Sequence, residues 1–181
     1  IAQSKKKEET SLVLERTITQ RKMRSVAFLV TLIVFASCDF SSGFREYHAL
    51  QDGWPSSKHI SFYTYQIAQA PSDIYIHIRN TNTYPYANLF LVAELRDSIQ
   101  VIARDTLEYA MADHQGKWLG AGFLEVKESK LWWKADWTPP HDGPYFIEFS
   151  QRVRNNGSLE GVSFLDGIIN VGVSIEPQIQ P

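Results

Sequence analysis

Short segments in which apolar and polar side chains alternate constrain the fold of this chain most. Over residues 73–79, three isoleucines lie on one side of the segment, and Asp, Tyr, His and Arg lie on the other. A side-chain period of two is that of a half-buried β-strand. No segment after residue 40 shows a sustained helical period. The one place where we expect a helix, of a turn or two, is residues 158–165.

Similar segments recur along the chain with turn-forming residues between them. We predict strands at residues 59–65, 73–79, 88–95, 99–103, 106–111, 130–137, 144–150 and 169–175, with 118–127 and 130–137 forming a hairpin. About eight or nine short strands at such spacing are typical of an antiparallel sandwich. We therefore predict an all-β fold, an antiparallel β-sandwich of the jelly-roll kind.

The stretch before residue 40 has a different pattern. Arg24 gives it a basic start, an apolar run covers residues 26–35, and two small residues precede Cys38, the only cysteine. About ten helical residues cover roughly half of a ~30 Å hydrocarbon core, which is too short to cross a membrane but suits the core of a signal peptide. The order is typical of a bacterial lipoprotein signal, with Cys38 as the lipid-attachment residue. The alternative, a buried segment with a core cysteine, would need a helical period that the run lacks.

These features divide the chain into four parts. We expect residues 1–22 to be a non-native upstream extension, 23–37 the signal peptide, 38–57 a tether and entry segment, and 58–181 the β-sandwich. From Cys38 onward, 11 Lys and Arg stand against 17 Asp and Glu, a net charge of about −6. This acidity argues against a nucleic-acid partner. Acylation of Cys38 would also leave no thiol for a disulfide or a metal site.

The sequence carries no motif of catalysis or metal binding. Its five histidines lack metal-ligand spacing, and neither a Gly-x-Ser-x-Gly elbow nor a phosphate-binding loop is present. We expect His77 on the solvated face of its strand. His141 and Asp142 share a loop and could act in acid–base chemistry, but a turn after two prolines is the simpler explanation. We therefore predict that the protein is not an enzyme and has no catalytic residue, cofactor or metal.

Three tryptophans close together offer a candidate sugar-binding face. Strand alternation puts Trp133 and Trp137 on one side and Trp132 on the other. Aromatic rings of this kind stack on glycans in many jelly rolls, but a sandwich also buries both of its inner faces. We favour core packing for Trp133 and Trp137.

Two tripeptides resemble the Asp-Ser/Thr-aliphatic site of O-glycosylation on exported proteins of Bacteroidota. They are Asp97-Ser98-Ile99 and Asp105-Thr106-Leu107. Ser98 and Thr106 are therefore candidate O-glycosylation sites. Ser98 is the better candidate because it falls at a predicted exposed turn.

An ordered set of longer matches resembles one family, the gliding motility lipoprotein GldH of Bacteroidota. The matches are residues 76–80 (IHIRN), 84–91 (YPYANLFL), 105–113 (DTLEYAMAD), 116–122 (GKWLGAG), 143–145 (GPY) and 169–173 (INVGV). Together they extend over most of the chain after Cys38. The resemblance carries over Cys38 as the lipid-attachment residue and no catalytic residue.

The resemblance implies a membrane-anchored, non-enzymatic accessory protein of the gliding machinery, which is associated with type IX secretion. We expect it in the cell envelope, lipid-anchored at the outer membrane and facing the periplasm, with other gliding or secretion proteins as partners. Tyr84, Tyr86 and Trp118 lie in or beside loops and are candidate partner contacts, although they could equally anchor those loops. The alternative function is a glycan-binding envelope lipoprotein.

Overall fold

The computed structural model describes residues 43–65, 70–122, 124–155 and 157–178. These residues form ten strands and no helix. The strands are β1 (Phe44–Ala49), β2 (Trp54–Pro55), β3 (Ile60–Thr64), β4 (Ser72–Asn80), β5 (Asn88–Arg96), β6 (Val101–Ala110), β7 (Lys127–Trp137), β8 (Tyr145–Gln151), β9 (Phe164–Leu165) and β10 (Ile168–Pro177). No helix that could cross a membrane occurs in the part of the chain so described.

The strands pair antiparallel throughout. Sheet 1 has the order β1-β10-β4-β7, and sheet 2 has the order β3-β8-β5-β6. Strands β2 and β9 pair with each other as a short ribbon. The predicted all-β antiparallel sandwich is confirmed, with ten strands where we expected about eight or nine.

The core lies between the inner faces of the two sheets. From sheet 1, Ile74, Ile76 and Ile78 of β4 are fully buried, as the alternation of their segment predicts. From sheet 2, Phe149 of β8 packs edge-on against Trp133 of β7, with ring centroids 5.8 Å apart. The other fully buried hydrophobic residues of the described part are Trp54, Leu89, Leu91, Ala93, Leu95, Met111, Ile147, Leu165, Ile168, Val171 and Val173.

Hydrogen bonds join the sheets along one side of the sandwich, where β7 of sheet 1 meets β6 of sheet 2. The Trp133 indole Nε1 donates to Asp105 Oδ2 at 2.9 Å. The Tyr109 hydroxyl donates to the backbone oxygen of Trp132 at 2.6 Å. These bonds satisfy polar atoms that close sheet packing would otherwise leave without partners.

Two local predictions were wrong. Residues 158–165 form no helix. The Ser158 hydroxyl forms hydrogen bonds with the backbone of Glu160 in a local turn. Leu165 pairs as a strand residue with the fully buried Trp54. The first arm of the predicted hairpin, residues 118–127, is not a strand: among its described residues before Lys127, Trp118 and Ala121 form only isolated bridges, with Ala112 and Glu128. Leu124 has a positive φ of 58°, which extended backbone does not allow. The strands predicted at 99–103 and 106–111 are one continuous strand, β6.

Strand β1 lies within the range 38–57, which we predicted to hold a tether and an entry segment. Strand β1 is paired with β10 along its whole length, from Phe44 opposite Ile175 to Ala49 opposite Asn170. Two side chains hold this segment against the sandwich: the Tyr47 hydroxyl donates to Glu128, and Trp54 is fully buried.

The sandwich has two ends with different loops. The Tyr84 end carries loops 81–87, 111–126 and 152–163. The Ile99 end carries loops 97–100 and 138–144, and also the start of β1 and the end of β10.

Candidate functional site

The Tyr84 end is built around a cluster of three aromatic residues. Tyr84 is almost completely buried, and its ring centroid lies 5.7 Å from that of Tyr86 and 6.1 Å from that of Trp118. Tyr86 and Trp118 are half-buried. The structure therefore brings together the three residues that sequence reasoning selected as candidate contacts.

Each of these side chains also uses its polar group inside the protein. The Tyr84 hydroxyl donates to Asn88 O at 2.7 Å, the Tyr86 hydroxyl to Asn155 Oδ1 at 2.9 Å, and Trp118 Nε1 to Asn82 Oδ1 at 3.0 Å. Burial raises the pKa of the Tyr84 hydroxyl far above its usual range. Tyr84 therefore anchors its loop, and only the half-buried rings of Tyr86 and Trp118 present surface to a partner.

Gly167 fixes how closely the loop of Tyr84 approaches the sandwich. It follows β9 with a φ of +75°, and its carbonyl accepts a hydrogen bond from the Thr81 amide at 2.8 Å. A Cβ at this position would be driven against the backbone nitrogen of Tyr84. Glycine is required here both for the backbone conformation and for the contact.

A groove of about 420 Å³ lies beside the aromatic cluster. Phe90 and Val92 of β5 and Thr106 of β6 line it from the outer face of sheet 2, and Arg152 and Arg154 complete its wall. It adjoins the cluster because Asn155, the hydrogen-bond partner of Tyr86, directly follows Arg154. Its volume lies in the lower part of the range of ligand pockets.

The two guanidinium groups of the groove face solvent without a carboxylate partner. Arg152 Nη1 donates to the adjacent Gln151 carbonyl at 2.8 Å, and neither arginine forms an ion pair with a carboxylate of the described residues. A guanidinium presents a planar fork of donors that matches a carboxylate. The groove thus combines an apolar floor with two cations that are available to an anion.

Sequence reasoning missed this groove, although one signal pointed to it. The tripeptide Arg152-Val153-Arg154 follows an alternating strand, and Val153 is 1% exposed. A buried central residue places its two neighbours together on the outward side. The floor could not be foreseen, because only the pairing of β5 with β6 brings Val92 opposite Thr106.

The expectation that His77 lies on a solvated face was wrong: the side chain is buried. Its strand face is the outer one, but Tyr47 of β1 covers it, with ring centroids 5.4 Å apart. The Tyr47 ring reaches this position because Gly172 has no side chain; a Cβ there would lie 2.5 Å from the ring. His77 Nε2 is 2.8 Å from Ser174 Oγ, and Nδ1 is 3.4 Å from Glu128 Oε1.

The His141 loop is tied to the turn between β5 and β6. His141 Nε2 lies 3.0 Å from the carboxylate of Asp97, and its ring stacks on Tyr145 with centroids 5.5 Å apart. Asp97 Oδ1 also accepts the amides of Ile99 and Gln100, which hold the turn. These contacts hold the His141 loop against the β5–β6 turn and against Tyr145.

The two histidines are expected to titrate in opposite directions from a pKa of 6.5. Burial lowers the pKa of His77, so its stabilising contribution is full above that value and is lost as the pH falls below it. The hydrogen bond that the His141 ring donates to the Asp97 carboxylate raises the pKa of His141, whose contribution is present below 6.5 and is lost as the pH rises through the raised value. NMR titration of the imidazole protons measures both.

An Asp97→Asn variant serves as the control for this titration. It should return the pKa of His141 towards 6.5 and leave that of His77 unchanged. A His77 pKa at or above 6.5 in the unaltered chain would contradict the burial that the structure assigns to it.

The remaining predicted residues fall in different places. Trp133 is buried in the core and Trp137 packs edge-on against Tyr145, while Trp132 on the opposite face is 56% exposed. The core packing favoured for the first two is therefore found. Ser98 and Thr106 are both exposed, and their glycosylation stays a prediction.

Cys38 lies outside the described residues. Within those residues, no group of three or more His, Cys, Asp or Glu side chains could hold a metal ion.

Comparison with known proteins places this sandwich in a class of bacterial lipoproteins. Residues 42–175 match the family described as GldH lipoprotein. A "Gliding motility lipoprotein GldH homolog" of Christiangramia forsetii is 39% identical over 150 residues, which cover 82% of this chain and 92% of the relative. "Gliding motility lipoprotein GldH" of Flavobacterium johnsoniae is 34% identical over 157 residues, covering 86% and 98%. The chain belongs to the GldH lipoprotein family.

The solved structures are less similar to this chain than these relatives are. Dimeric latent PorU of Porphyromonas gingivalis is 8% identical with a TM-score of 0.32, over 75% of this chain and 13% of that protein. The VP2 subviral particle of infectious bursal disease virus is 13% identical with a TM-score of 0.33, over 77% and 34%. Similarity at this level carries no argument about fold or function.

Proposed function

We propose that this protein is a lipid-anchored, non-enzymatic adaptor of the gliding motility machinery, associated with type IX secretion, at the outer membrane and facing the periplasm. Its family membership and the names of its relatives support the gliding role and the lipid anchor. Cys38 is the residue to which the acyl chains would attach. The enzymatic alternative has no support in the contacts of His141, which are those of a loop anchor.

Chain connectivity gives the anchored domain an orientation. Cys38 precedes Phe44 by six residues, which span at most ~20 Å when fully extended. Phe44 starts β1 at the Ile99 end of the sandwich. An anchor at Cys38 would therefore keep the Ile99 end near the membrane and turn the Tyr84 end away from it.

The groove at the Tyr84 end is the observation that supports an adaptor role most directly. It offers two unpaired guanidinium groups and an apolar floor on a domain that is otherwise acidic. Beside it, Tyr86 and Trp118 present half-buried aromatic surface of the kind enriched at protein interfaces. A protein segment that carries acidic and apolar side chains fits this combination.

Charge reversal in the groove tests the proposal. Arg154 is exposed, and its side chain forms no hydrogen bond or ion pair with the described residues, so Arg154→Glu should leave the fold intact. We expect the lipidated Arg154→Glu protein to recover gliding or secretion components from detergent-solubilised membranes at least about tenfold less well, since charged interface pairs typically contribute more than 1.4 kcal/mol.

Arg104→Glu is the control for the change of charge, because Arg104 is an exposed arginine on the same sheet, outside the groove. It also breaks the 3.6 Å ion pair of Arg104 with Glu94, so its folding is checked beside that of Arg154→Glu. Equal recovery by the two variants would remove the groove from the proposal. Failure of the unaltered protein to enrich any gliding or secretion component over an unrelated lipoprotein would remove the adaptor role itself.

The glycan-binding alternative keeps the half-buried ring of Tyr86, but the other aromatic rings that it would use pack inside the protein. Trp133 belongs to the core, Trp137 packs on Tyr145, and Tyr84 is buried under its own loop. No other observation favours a glycan as the ligand.

A further inference from the structure

A row of four side chains crosses the outer face of sheet 2 near the Ile99 end. Strand register aligns Tyr63 with Phe146, Phe146 with Arg96, and Arg96 with Val101. Tyr63 and Val101 are 53% and 52% exposed. The Tyr63 and Phe146 rings lie 5.4 Å apart, and the Arg96 guanidinium lies 4.3 Å above the Phe146 ring. The row is therefore apolar and aromatic with one cation at its centre.

Two further exposed residues extend this row towards the tip of the sandwich. Tyr65 follows β3 and is 63% exposed, and Ile99 occupies the β5–β6 turn and is 88% exposed. We call the six residues together, Tyr63, Tyr65, Arg96, Ile99, Val101 and Phe146, the tip surface.

The Ile99 side chain is held in its exposed position. Asp97 Oδ1 accepts the amides of Ile99 at 2.6 Å and Gln100 at 2.7 Å, and Asp97 Oδ2 lies 3.0 Å from His141 Nε2. These bonds fix the turn to the 138–144 loop instead of letting it fold back over apolar surface. A large apolar group fixed in water is unfavourable, and contiguous exposed apolar surface marks an interaction site.

We propose that the tip surface rests on the phospholipid surface that holds the acyl chains of Cys38. This inference rests on the proposed lipid anchor. The start of β1 lies at the same end as the tip surface, and the six residues back to Cys38 allow at most ~20 Å of separation from the membrane. The tip surface is thus the part of the domain that the anchor keeps nearest to lipid.

The chemistry of the tip surface matches a lipid interface. Tyrosine side chains favour the headgroup level because their rings are apolar and their hydroxyls are polar. Arg96 can reach a lipid phosphate while its stem and the Phe146 ring stay against apolar surface. Ile99 would enter the boundary between headgroups and acyl chains, and docking of this kind adds to the membrane binding that the acyl chains supply.

A pair of fluorescent probes tests this inference in the lipidated full-length mature protein. Ile99→Cys and Leu159→Cys each introduce one thiol, since acylation occupies Cys38, and each is labelled with an environment-sensitive dye. Leu159 is the matched control because it is an apolar loop residue 92% exposed, in loop 152–163 of the opposite end. The proteins are reconstituted into vesicles of phosphatidylethanolamine and phosphatidylglycerol that contain a spin-labelled quencher lipid.

We expect the dye at position 99 to shift its emission to the blue and to be quenched at least threefold more than the dye at position 159. Equal quenching at the two positions would overturn the docking. So would a blue shift at position 99 that occurs in native membranes but not in the pure lipid vesicles, because the tip surface would then meet a protein. Vesicle flotation separates the two proposals: a protein that floats without preferential quenching at position 99 keeps its anchor and loses the docking, whereas one that does not float loses both.

Discussion

A Cys38→Ser protein is expected to leave the membrane fraction completely. Acyl chains on the cysteine are the basis of the proposed anchoring, and serine cannot accept the thioether-linked lipid. One acyl chain gives only marginal binding, with an association constant of about 10⁴ M⁻¹, whereas two or more give a stable anchor. The tip surface alone offers six side chains, much less buried apolar area than the acyl chains supply, and should not retain the protein in the membrane pellet. Fractionation of cells after radioactive fatty-acid labelling measures both the lipid and its location.

Ser41→Ala is the control for this experiment, since it changes a neighbouring polar residue and leaves Cys38 in place. It should be labelled and pelleted like the unaltered protein. Labelling that persists in Cys38→Ser, or membrane retention without labelling, would show that the lipoprotein interpretation of residues 23–38 is wrong. If Cys38→Ser loses both the label and the membrane, a loss of gliding or secretion in that strain would connect the anchor to the proposed role.

A Gly167→Ala protein is expected to be destabilised by about 3 kcal/mol. A positive φ costs an L-residue roughly 1–2 kcal/mol, and the φ here is +75°. The added methyl would also press on the backbone of Tyr84, and overpacking of this kind typically costs about 1–3 kcal/mol. Urea unfolding at constant pH measures the loss as a lower midpoint with an unchanged slope.

Gly157→Ala isolates the contribution of the contact. Gly157 has a φ of +79°, close to that of Gly167, but a Cβ there would have no heavy atom within 4 Å. It should therefore lose only about 1 kcal/mol, the backbone part alone. Equal losses in the two variants would mean that the loop of Tyr84 is not held against Gly167. Because Tyr86 follows in the same loop, Gly167→Ala should also weaken partner recovery beyond its effect on folding.

The fold could be predicted where the burial of a strand is decided by its own residues. In β4, the three isoleucines lie inward as their period of two requires, since one sheet face is always the core. The prediction was wrong where a residue far away in the sequence decides the structure of a segment. Residues 158–165 look helical only while the pairing of Leu165 with Trp54 is unknown, and that pairing spans more than a hundred residues.

The candidate site could likewise be predicted only in part. Tyr84, Tyr86 and Trp118 were selected because aromatic residues in loops are conspicuous in a sequence, and the structure brings them together. The outward side of His77 was also foreseen, but its burial was not, because it depends on the space that Gly172 leaves for Tyr47. Neighbours in space decide which rings pack together and which polar groups are paired. Neither the side-chain period nor the composition reveals those neighbours.

The pairing of β1 with β10 has a mechanical consequence. A tension between the anchor and a partner bound at the Tyr84 end would enter the domain at Phe44 and run parallel to β1. Backbone hydrogen bonds of an antiparallel pair lie perpendicular to the strands, so the six residue pairs from Phe44–Ile175 to Ala49–Asn170 would be loaded together in shear. Rupture then requires all of them to break at once, whereas a load at right angles would unzip them in turn. Under such a load, the first strand of the domain would pass the force into the sandwich through all six residue pairs together.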